Sequence, residues 1–277
     1  MKTASLHPSR SSQALAGLPP SLARLVKIIR ASARLTPEIV CQCAIEAKVD
    51  AQDLLPWADF QHPVADSYGR QLVYHGENFE IMVMSWLPGD FSAIHDHGAA
   101  EWGAVQCFGA AEHYTYQLEN GLLSTLKRTD YIPNSVKQVD KYLIHQMGNP
   151  GKEPFLSLHI YGKDSIEKNI TKDSRIFDLF EGSIKLTDGG VFFCLPESQI
   201  KQRIYGLRGD PETTLRHHLR MRDRLCRIFS FDSDTQTDIK LKVLQLERKI
   251  ACLDSLNNAD NHSENMAGLS LSSKEYV

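Results

Sequence analysis

Two histidines separated by a single residue carry the clearest chemical signal in this sequence. His95 and His97 follow a Pro-Gly turn that ends at Gly89, in a segment that we expect to be extended. Residues two apart on a strand point to the same face and lie about 7 Å apart, so both imidazoles can bind one metal ion. Two histidines alone hold a metal weakly, and a third ligand must come from another strand. An isolated pair of this kind is also typical of surface histidines that bind nothing.

His145 is the best candidate for the third ligand, because it ends an apolar strand and is followed by a turn at 148–151. Three imidazoles on one side of an ion leave positions open for substrate and oxygen, as a redox-active iron site requires. With Gly89 before the histidine pair and Gly109 after it, the segment resembles the two motifs of the cupins. The same neutral ligands also accept manganese or nickel.

Glu101 leaves the size of the ligand set open. It lies four residues after His97 and is in phase with the histidine pair if the strand is unbroken. Many cupins use a glutamate at this place as a fourth ligand, typically with manganese. Residues 98–100 can instead form a loop that turns the carboxylate away. We expect the loop, and therefore a Glu101 that is not a ligand.

Within the cupins, the sequence resembles the cysteine dioxygenase family of thiol dioxygenases, over about residues 60–165 and more weakly in the preceding helices. Four matches follow one another at compatible spacing. They are YGRQLV at 68–73, Trp86 nine residues before His95, IHDH at 94–97, and SLHIY at 157–161. The resemblance implies a cofactor, Fe(II), bound by His95, His97 and His145, and a reaction that joins O2 to a small thiol. L-cysteine, which becomes cysteine sulfinic acid, is the expected substrate.

Two further groups are assigned to the substrate by this resemblance. A neutral three-histidine ferrous site retains two positive charges and favours an anionic thiolate, and binding thiolate and O2 together makes the oxidation an oriented internal transfer. Arg70 presents a planar fork that suits a substrate carboxylate, with Tyr68 in support of Arg70 or of the substrate. A surface ion pair is the ordinary alternative for such a strand arginine.

Ser157, His159 and Tyr161 alternate on one strand and therefore share a face. In the family, this row is a hydrogen-bond relay whose tyrosine lies beside the iron, so we interpret Tyr161 as a catalytic group oriented by His159 and Ser157. Polar residues that merely line a barrel lumen are the alternative. Trp86 is expected to pack near the ligand strand rather than to act chemically.

The sequence departs from the family pattern at the position of a crosslink. Mammalian members have a cysteine that crosslinks to the catalytic tyrosine, and counting from His97 places that position at Trp102, next to Gly103. Cys107 lies too far along the strand to substitute. Bacterial members commonly have glycine in this region, so the resemblance is to a crosslink-free, bacterial-type enzyme.

A second departure is the chain beyond about residue 196, which is longer than the usual end of the family. Its stretch RHHLRMRDRLCR, at 216–227, is interpreted as a solvated helix face with His217 and His218 at the surface. The helices there also leave open a role in oligomerisation or in binding a partner.

The elements that must position these residues form a mostly β protein. Short strands recur at about 8–12 residue spacing after Ser67, with Asn120-Gly121 as a hairpin turn between two of them, which indicates an antiparallel barrel or sandwich. With the motifs, this predicts a cupin (double-stranded β-helix) barrel with N-terminal helices and a C-terminal helical extension. We divide the chain into a mobile tail at 1–19, a cupin thiol dioxygenase domain at 20–196, a helical extension at 197–254, and a disordered tail at 255–277.

Composition limits the partners. With 31 Lys+Arg against 34 Asp+Glu, the chain has no net attraction for nucleic acid or anionic membranes. No apolar run approaches the roughly 18 residues that a membrane span needs, and the first residues lack the apolar core of a secretory signal. The six cysteines are scattered, which suits reduced thiols. We therefore expect a cytoplasmic protein whose partners are a small thiol and O2, with no nucleic acid and no membrane.

Two alternatives to a cysteine dioxygenase remain open at this point. The first is a dioxygenase of 3-mercaptopropionate or of another small thiol, although the mercaptopropionate enzymes usually carry glutamine where Arg70 stands here. The second is a non-catalytic, metal-binding cupin that senses or binds a metabolite.

Overall fold

The computed structural model describes residues 17–166, 169–231 and 236–271, without the side chains of 231, 236 and 256–271. Most of the predicted N-terminal tail, residues 1–16, therefore lies outside the described residues. Helix α1 spans Pro20–Ala31 and α2 spans Pro37–Ala47. Thr36 caps α2 as predicted, because its hydroxyl accepts a hydrogen bond of 3.3 Å from the Ile39 amide. The short helix α3, Ala51–Leu54, then leads through a 3-10 turn at Leu55–Trp57 into the sheets.

Among the described residues, twelve strands follow, and they form two facing layers. The strands are β1 Gly69–His75, β2 Phe79–Trp86, β3 Trp102–Cys107, β4 Glu112–Glu119, β5 Leu122–Arg128, β6 Ser135–Asp140, β7 Ile144–Gly148, β8 Phe155–Gly162, β9 Ser174–Asp178, β10 Ser183–Thr187, β11 Gln202–Tyr205 and β12 Arg208–Gly209. One layer is a five-stranded sheet in the order β1-β2-β8-β3-β6. The other contains β12-β5-β4-β7 and β11-β10-β9. This is the predicted mostly β cupin barrel with helices at both ends.

A segment without regular strand assignment joins the two parts of the second layer. His95 forms antiparallel bridges with His145 on β7 and with Ile176 on β9. The His95 amide donates to the His145 carbonyl, and the Phe177 amide donates to the Ile94 carbonyl, both at 2.9 Å. The residues around His95 therefore act as a strand inserted between β7 and β9, so that β7 supplies the neighbouring backbone.

Alternation of side chains separates two apolar clusters on the five-stranded sheet. One face packs against the N-terminal helices, with buried residues that include Leu22, Leu25, Ile81, Val83 and Leu158. The opposite face, which turns into the barrel, carries a different set that includes Met82, Met84, Trp86, Val105 and Tyr161. Since successive residues of a strand point to opposite faces, the polar row at 157, 159 and 161 is directed into the barrel.

The predicted turns connect the predicted strands. Asn120 and Gly121, between β4 and β5, have φ values of 50° and 77°. Positive φ at both central residues is the geometry of a type I′ hairpin turn, which favours Asn-Gly. Glu181 and Gly182 connect β9 to β10, as the sequence indicates.

Beyond residue 196 the structure differs from the predicted purely helical extension. Strands β11 and β12 add edges to the second layer before helix α4, Pro211–Phe231, begins. The Thr213 amide donates a 2.8 Å hydrogen bond to the Asp210 carboxylate, which caps this helix as predicted. Helix α5, Gln236–Leu271, packs against α4 and continues past residue 255, where the sequence predicts a disordered tail. None of the described helices is long and apolar enough to span a membrane.

The prediction of a solvated basic face on α4 is wrong. His217 and His218 are 1% and 2% exposed, and Arg224 is 4% exposed. Arg224 Nη2 lies 2.7 Å from Oδ1 of the buried Asp90, in the loop that precedes the histidine pair. Arg220 Nη2 lies 2.8 Å from Glu112 Oε1 on β4. Arg220 and Arg224 are therefore turned toward the barrel, where two carboxylates compensate their charge, whereas Arg222 pairs with Asp223 on the helix itself.

Candidate metal centre and substrate pocket

The three predicted ligand histidines meet inside the barrel. His95 and His97 lie on the inserted segment and His145 on β7, and all three are buried. His145 Nε2 is 3.1 Å from Nε2 of His95 and 3.1 Å from Nε2 of His97. Metal–nitrogen bonds of about 2.1 Å at right angles separate two ligand nitrogens by about 3 Å. The cluster therefore has the spacing of nitrogens that share one ion.

The protonation of these side chains fits a cation. Burial lowers the pKa of His95 to about 4 and the pKa of His97 and His145 well below the usual value, and neighbouring imidazoles add to the effect at His97 and His145. The three rings are therefore neutral. His95 Nδ1 lies 2.9 Å from the Ala93 carbonyl oxygen, which can only accept, so Nδ1 carries the proton and Nε2 presents a lone pair. Three neutral imidazoles whose Nε2 atoms converge suit a divalent transition metal.

Glu101 is placed outside the cluster. The Ala100 amide donates to the His97 carbonyl, which closes a turn at 98–100. Beyond this turn the Glu101 carboxylate accepts a 3.0 Å hydrogen bond from the Asp164 amide and lies 3.5 Å from Lys141 Nζ. The strand is thus interrupted where the loop was expected, and the carboxylate faces partly into solvent.

The predicted row on β8 forms a continuous hydrogen-bonded relay. Ser157 Oγ is 2.7 Å from His159 Nε2, and His159 Nδ1 is 2.8 Å from the Tyr161 hydroxyl. Trp86, which the sequence assigned only to packing, donates a 2.8 Å hydrogen bond from its indole nitrogen to Ser157 Oγ. Tyr161 lies beside the cluster, with its ring centroid 4.8 Å from that of His97.

The indole sets the direction of the relay. Indole nitrogen can only donate, and the Ser157 hydroxyl has no other acceptor among the described residues, so it donates to His159 Nε2. Burial lowers the pKa of His159 to about 3, which keeps this ring neutral. His159 Nδ1 then carries the proton and donates to the Tyr161 oxygen. Burial also raises the pKa of Tyr161, so its own hydroxyl proton remains available to a further acceptor.

Arg70 and Tyr68 line the same cavity on the side of the relay, because β1 and β8 both pair with β2 in the five-stranded sheet. Arg70, on β1, lines the cavity, and within the described ranges no carboxylate forms an ion pair with it. Tyr68 is buried, stacks on Trp86 with ring centroids 4.7 Å apart, and accepts a 3.3 Å hydrogen bond from the Val191 amide. Tyr68 thus supports the cavity wall, while the Arg70 guanidinium is left for an anion.

The predicted groups converge on one cavity, which opens to solvent. Seven of the eight predicted side chains line it, and Ser157 lies behind His159 in the relay. The remaining wall is mixed. Its apolar side chains are Met82, Met84, Trp86, Met147 and Val191, and its polar side chains are Ser92, Asp96, Thr171 and Ser174. A small cavity with a few convergent polar groups is typical of a site for a small molecule.

The crosslink position inferred by counting is displaced by one residue. Gly103, not Trp102, lies opposite Tyr161 in the β3–β8 register. A Cβ at Gly103 would lie 3.1 Å from Tyr161 Cδ1, whereas the Trp102 indole donates to Asp164. Because adjacent strand residues face opposite sides, a shift of one decides which residue meets the tyrosine. The residue at the tyrosine is therefore a glycine.

Cys107 is also removed from Tyr161, as predicted. It lies opposite Ser157 in the register, and its thiol donates to the Gly109 carbonyl. Burial raises the pKa of this thiol to about 12, so the reactive thiolate is not formed at neutral pH.

One buried residue beside the cluster escaped the sequence analysis. His113, on β4, places its Nε2 3.0 Å from Nδ1 of His145. A histidine on a strand that is not part of a motif carries no signal by itself, and only the pairing of β4 with β7 brings it to the ligand.

Comparison with known proteins gives a match to a family model and matches to solved structures of low sequence identity. Residues 9–164 match the family model described as cysteine dioxygenase type I. Among solved structures, the protein TT1209 from Thermus thermophilus is 15% identical, with 39% of this chain and 92% of that chain covered and a TM-score of 0.33. The cupin domain of Schizosaccharomyces pombe Cnp3 is 14% identical, with 40% and 72% covered and a TM-score of 0.33. A double-stranded β-helix protein from Klebsiella pneumoniae is 17% identical, with 43% and 93% covered and a TM-score of 0.32.

Proposed function

Since this chain belongs to the cysteine dioxygenase type I family, we propose that it is an iron-dependent thiol dioxygenase that converts L-cysteine to cysteine sulfinic acid. The supporting observation is the convergence of three groups on one cavity: a cluster of neutral imidazoles, a guanidinium without a described carboxylate partner, and a phenol held by a relay. Bound Fe(II) supplies coordination positions for thiolate and O2 and the redox chemistry that joins them.

Arg70 is the residue that selects the substrate. Its planar fork can donate to both carboxylate oxygens of cysteine, and a charge-assisted pair of this kind is strong in a cavity whose wall is partly apolar. With the carboxylate held at Arg70, the thiol is directed across the cavity toward the histidine cluster. The neutral side chains of His95, His97 and His145 would hold Fe²⁺ without reducing its charge, which would favour an anionic thiolate.

Tyr161 lies beside the histidine cluster and can donate a hydrogen bond to the bound substrate. The relay from Trp86 through Ser157 and His159 leaves the Tyr161 hydroxyl as a donor at the edge of the cluster. This donor can hold a substrate or oxygen atom in one orientation. Such placement of two reactants contributes much of the rate enhancement when the chemistry belongs to a cofactor.

The apolar side chains of the cavity wall limit the water that reaches the reacting groups. Met82, Met84 and Met147 border the cavity. Trp86 also lines it, next to its hydrogen-bond partner Ser157. Fewer waters strengthen the attraction between Arg70 and a carboxylate, because the local dielectric constant falls.

The test is metal analysis combined with a product assay on the full chain. Protein loaded anaerobically with Fe(II) is supplied with O2 and with cysteine, cysteamine or 3-mercaptopropionate. We expect one iron per chain, one O2 consumed per cysteine, and a product that carries both oxygen atoms of ¹⁸O2, as the balance RSH + O2 → RSO2H requires. Protein loaded with Mn(II) is the control for the metal.

Two results would overturn the proposal in different ways. If 3-mercaptopropionate or cysteamine were turned over with a higher kcat/KM than cysteine, the substrate assignment would be wrong. If no thiol caused O2 consumption by iron-loaded protein, the chain would be a metal-binding cupin without this activity.

A further inference from the structure

His113 connects the third histidine of the cluster to the rest of the barrel. It is 4% exposed and lies on β4, which pairs with the β7 strand of His145. Its Nε2 is 3.0 Å from His145 Nδ1. On its other side, His113 Nδ1 is 3.0 Å from Thr129 Oγ1 and 3.2 Å from the Thr129 carbonyl oxygen. Both ring nitrogens therefore have partners.

The partners determine where the protons are. A carbonyl oxygen can only accept, so His113 Nδ1 donates to Thr129 and His113 Nε2 carries a lone pair. That lone pair accepts the Nδ1 proton of His145, which leaves His145 Nε2 unprotonated and facing the other two histidines. The reverse arrangement would put a proton on His145 Nε2, where it would prevent metal binding.

The backbone holds His113 in this orientation. Its amide donates a 3.1 Å hydrogen bond to the Asp130 carboxylate, and its carbonyl accepts a 2.8 Å hydrogen bond from the Thr129 amide. His113 is thus attached to residues 129–130 through its amide, its carbonyl and its ring. A support fixed in this way can control the ring angle of the histidine that it contacts.

The charge of the partner also matters. His95 donates to the Ala93 carbonyl, and His145 donates to an imidazole, so both acceptors are neutral. His113 carries one ring proton, on Nδ1, and accepts from His145 at Nε2, so the ring in this arrangement is neutral. A carboxylate in this place would orient His145 equally well, but it would add a negative charge next to the cluster.

We propose that His113 is a positioning residue, which fixes the tautomer and orientation of His145 as a metal ligand while leaving the charge of the ion undiminished for an anionic substrate. This inference rests on the proposed function, because it takes the three histidines to be the metal site.

The experiment compares metal binding by the full chain and by variants at His113, with anaerobic Co(II) titration followed by its visible absorption spectrum. His113→Leu removes the acceptor, and we expect the Kd for Co(II) to rise about 10- to 100-fold, the usual effect of losing such a partner. His113→Gln offers an amide oxygen as acceptor, and we expect it to recover most of this loss. Thr129→Val removes one of the two acceptors of His113 and keeps the carbonyl, so its effect should stay within about fivefold.

A matched pair tests the role of charge. His113→Glu and His113→Gln have nearly the same shape, and each offers an oxygen acceptor to His145. We expect the Glu variant to bind Co(II) at least as tightly as the Gln variant. In the iron-loaded enzymes, we expect the Glu variant to have the higher KM for cysteine, because its charge weakens the attraction of the thiolate.

The outcomes separate the two levels of the proposal. A parent protein that bound no Co(II) would overturn the metal site, and the role of His113 with it. A parent that bound Co(II), together with a folded Leu variant of unchanged Kd and spectrum, would overturn only the role of His113. If the Leu variant did not fold, as judged by circular dichroism, equal Kd and KM values for the Glu and Gln variants would overturn the charge argument.

Discussion

Two groups of buried histidines occupy this molecule, and they differ in geometry rather than in burial. His95, His97 and His145 place their ligand nitrogens within 4.8 Å of one another. His217 and His218, on α4, are equally buried, but within the described residues no third ligand group converges with them in this way. Adjacent helical residues point about 100° apart, whereas strand residues two apart point the same way.

The neighbours of each group extend the contrast. The barrel histidines face a cavity, whereas His217 packs edge-on against Phe193, and His218 against Phe180. His217 Nε2 lies 4.0 Å from Asp178 Oδ1. The α4 pair therefore belongs to the packing of the C-terminal helices on the barrel. Burial of a histidine is no sign of function unless its nitrogens converge with others.

The largest expected effect comes from removing a histidine of the cluster, and the matched control removes a histidine of the α4 pair. His145→Ala should lower iron affinity by more than about 100-fold, since loss of a mere partner of a ligand costs up to about that factor. Turnover should disappear with the metal. His218→Ala is the control and should retain one iron per chain. Iron retention and full activity in His145→Ala would show that the third ligand lies elsewhere and that the two groups do not differ as described.

The cavity beside the histidine cluster contains the Arg70 guanidinium, whereas the α4 histidines are packed against aromatic rings. Truncating one side of a buried charge pair costs about 2–5 kcal/mol, so Arg70→Ala should lower kcat/KM for cysteine by roughly 30-fold to several thousand-fold. Iron content should not change.

Cysteamine, which lacks the carboxylate, provides the control for Arg70. It should be a poor substrate of the parent protein and should lose little more in the variant. Equal oxidation of cysteine by the parent and by Arg70→Ala would remove the carboxylate clamp from the proposed function.

The α4 pair has a pH signature of its own. Burial lowers the pKa of His217 to about 4 from an ordinary 6.5, against the opposing effect of Asp178, with His218 and Lys185 adding to the decrease. Because the folded pKa is depressed, the unfolded chain takes up more protons below pH 6.5, and stability is lost as the pH falls from there toward 4.

Linkage gives the expected size of that loss. The contribution of His217 should fall by about 2 kcal/mol between pH 7 and pH 5. Urea unfolding at several pH values should therefore show a shallower pH dependence in His217→Gln than in the parent. Parallel curves would mean that His217 is protonated in the folded protein over the same pH range as in the unfolded chain.

Glu101 should have the smallest effect. Its carboxylate lies with Lys141 and the Asp164 amide, outside the histidine cluster. Glu101→Gln should change iron affinity by no more than the roughly 0.5 kcal/mol typical of surface substitutions. A loss of iron as large as that of His145→Ala would make the site a four-ligand centre.

The histidine pair and the polar row on β8 were predictable because strand geometry repeats every two residues. The pairing of His95 with His97, and of Ser157 with His159 and Tyr161, follows from that repeat alone. The Asn-Gly turn and the cap at Asp210 are likewise local, since a few adjacent residues determine them. The predicted barrel follows from many such local signals in succession.

What sequence could not decide depends on register and on contacts between distant segments. Whether Trp102 or Gly103 meets Tyr161 is set by how β3 pairs with β8, and a shift of one residue reverses the answer. The basic run on α4 has the pattern of a solvated face, and only the barrel carboxylates Asp90 and Glu112 explain why Arg224 is buried and Arg220 partly buried.

The amino-acid sequence by itself thus determined the chemistry: which side chains can bind a metal, relay a proton and hold a carboxylate. Tertiary structure alone decided which of them meet. It brought His113 to His145 and Trp86 to Ser157, and it turned Glu101 away. The reason is physical, since side-chain periodicity is encoded within a strand, whereas hydrogen bonds between strands depend on a pairing that local sequence does not specify.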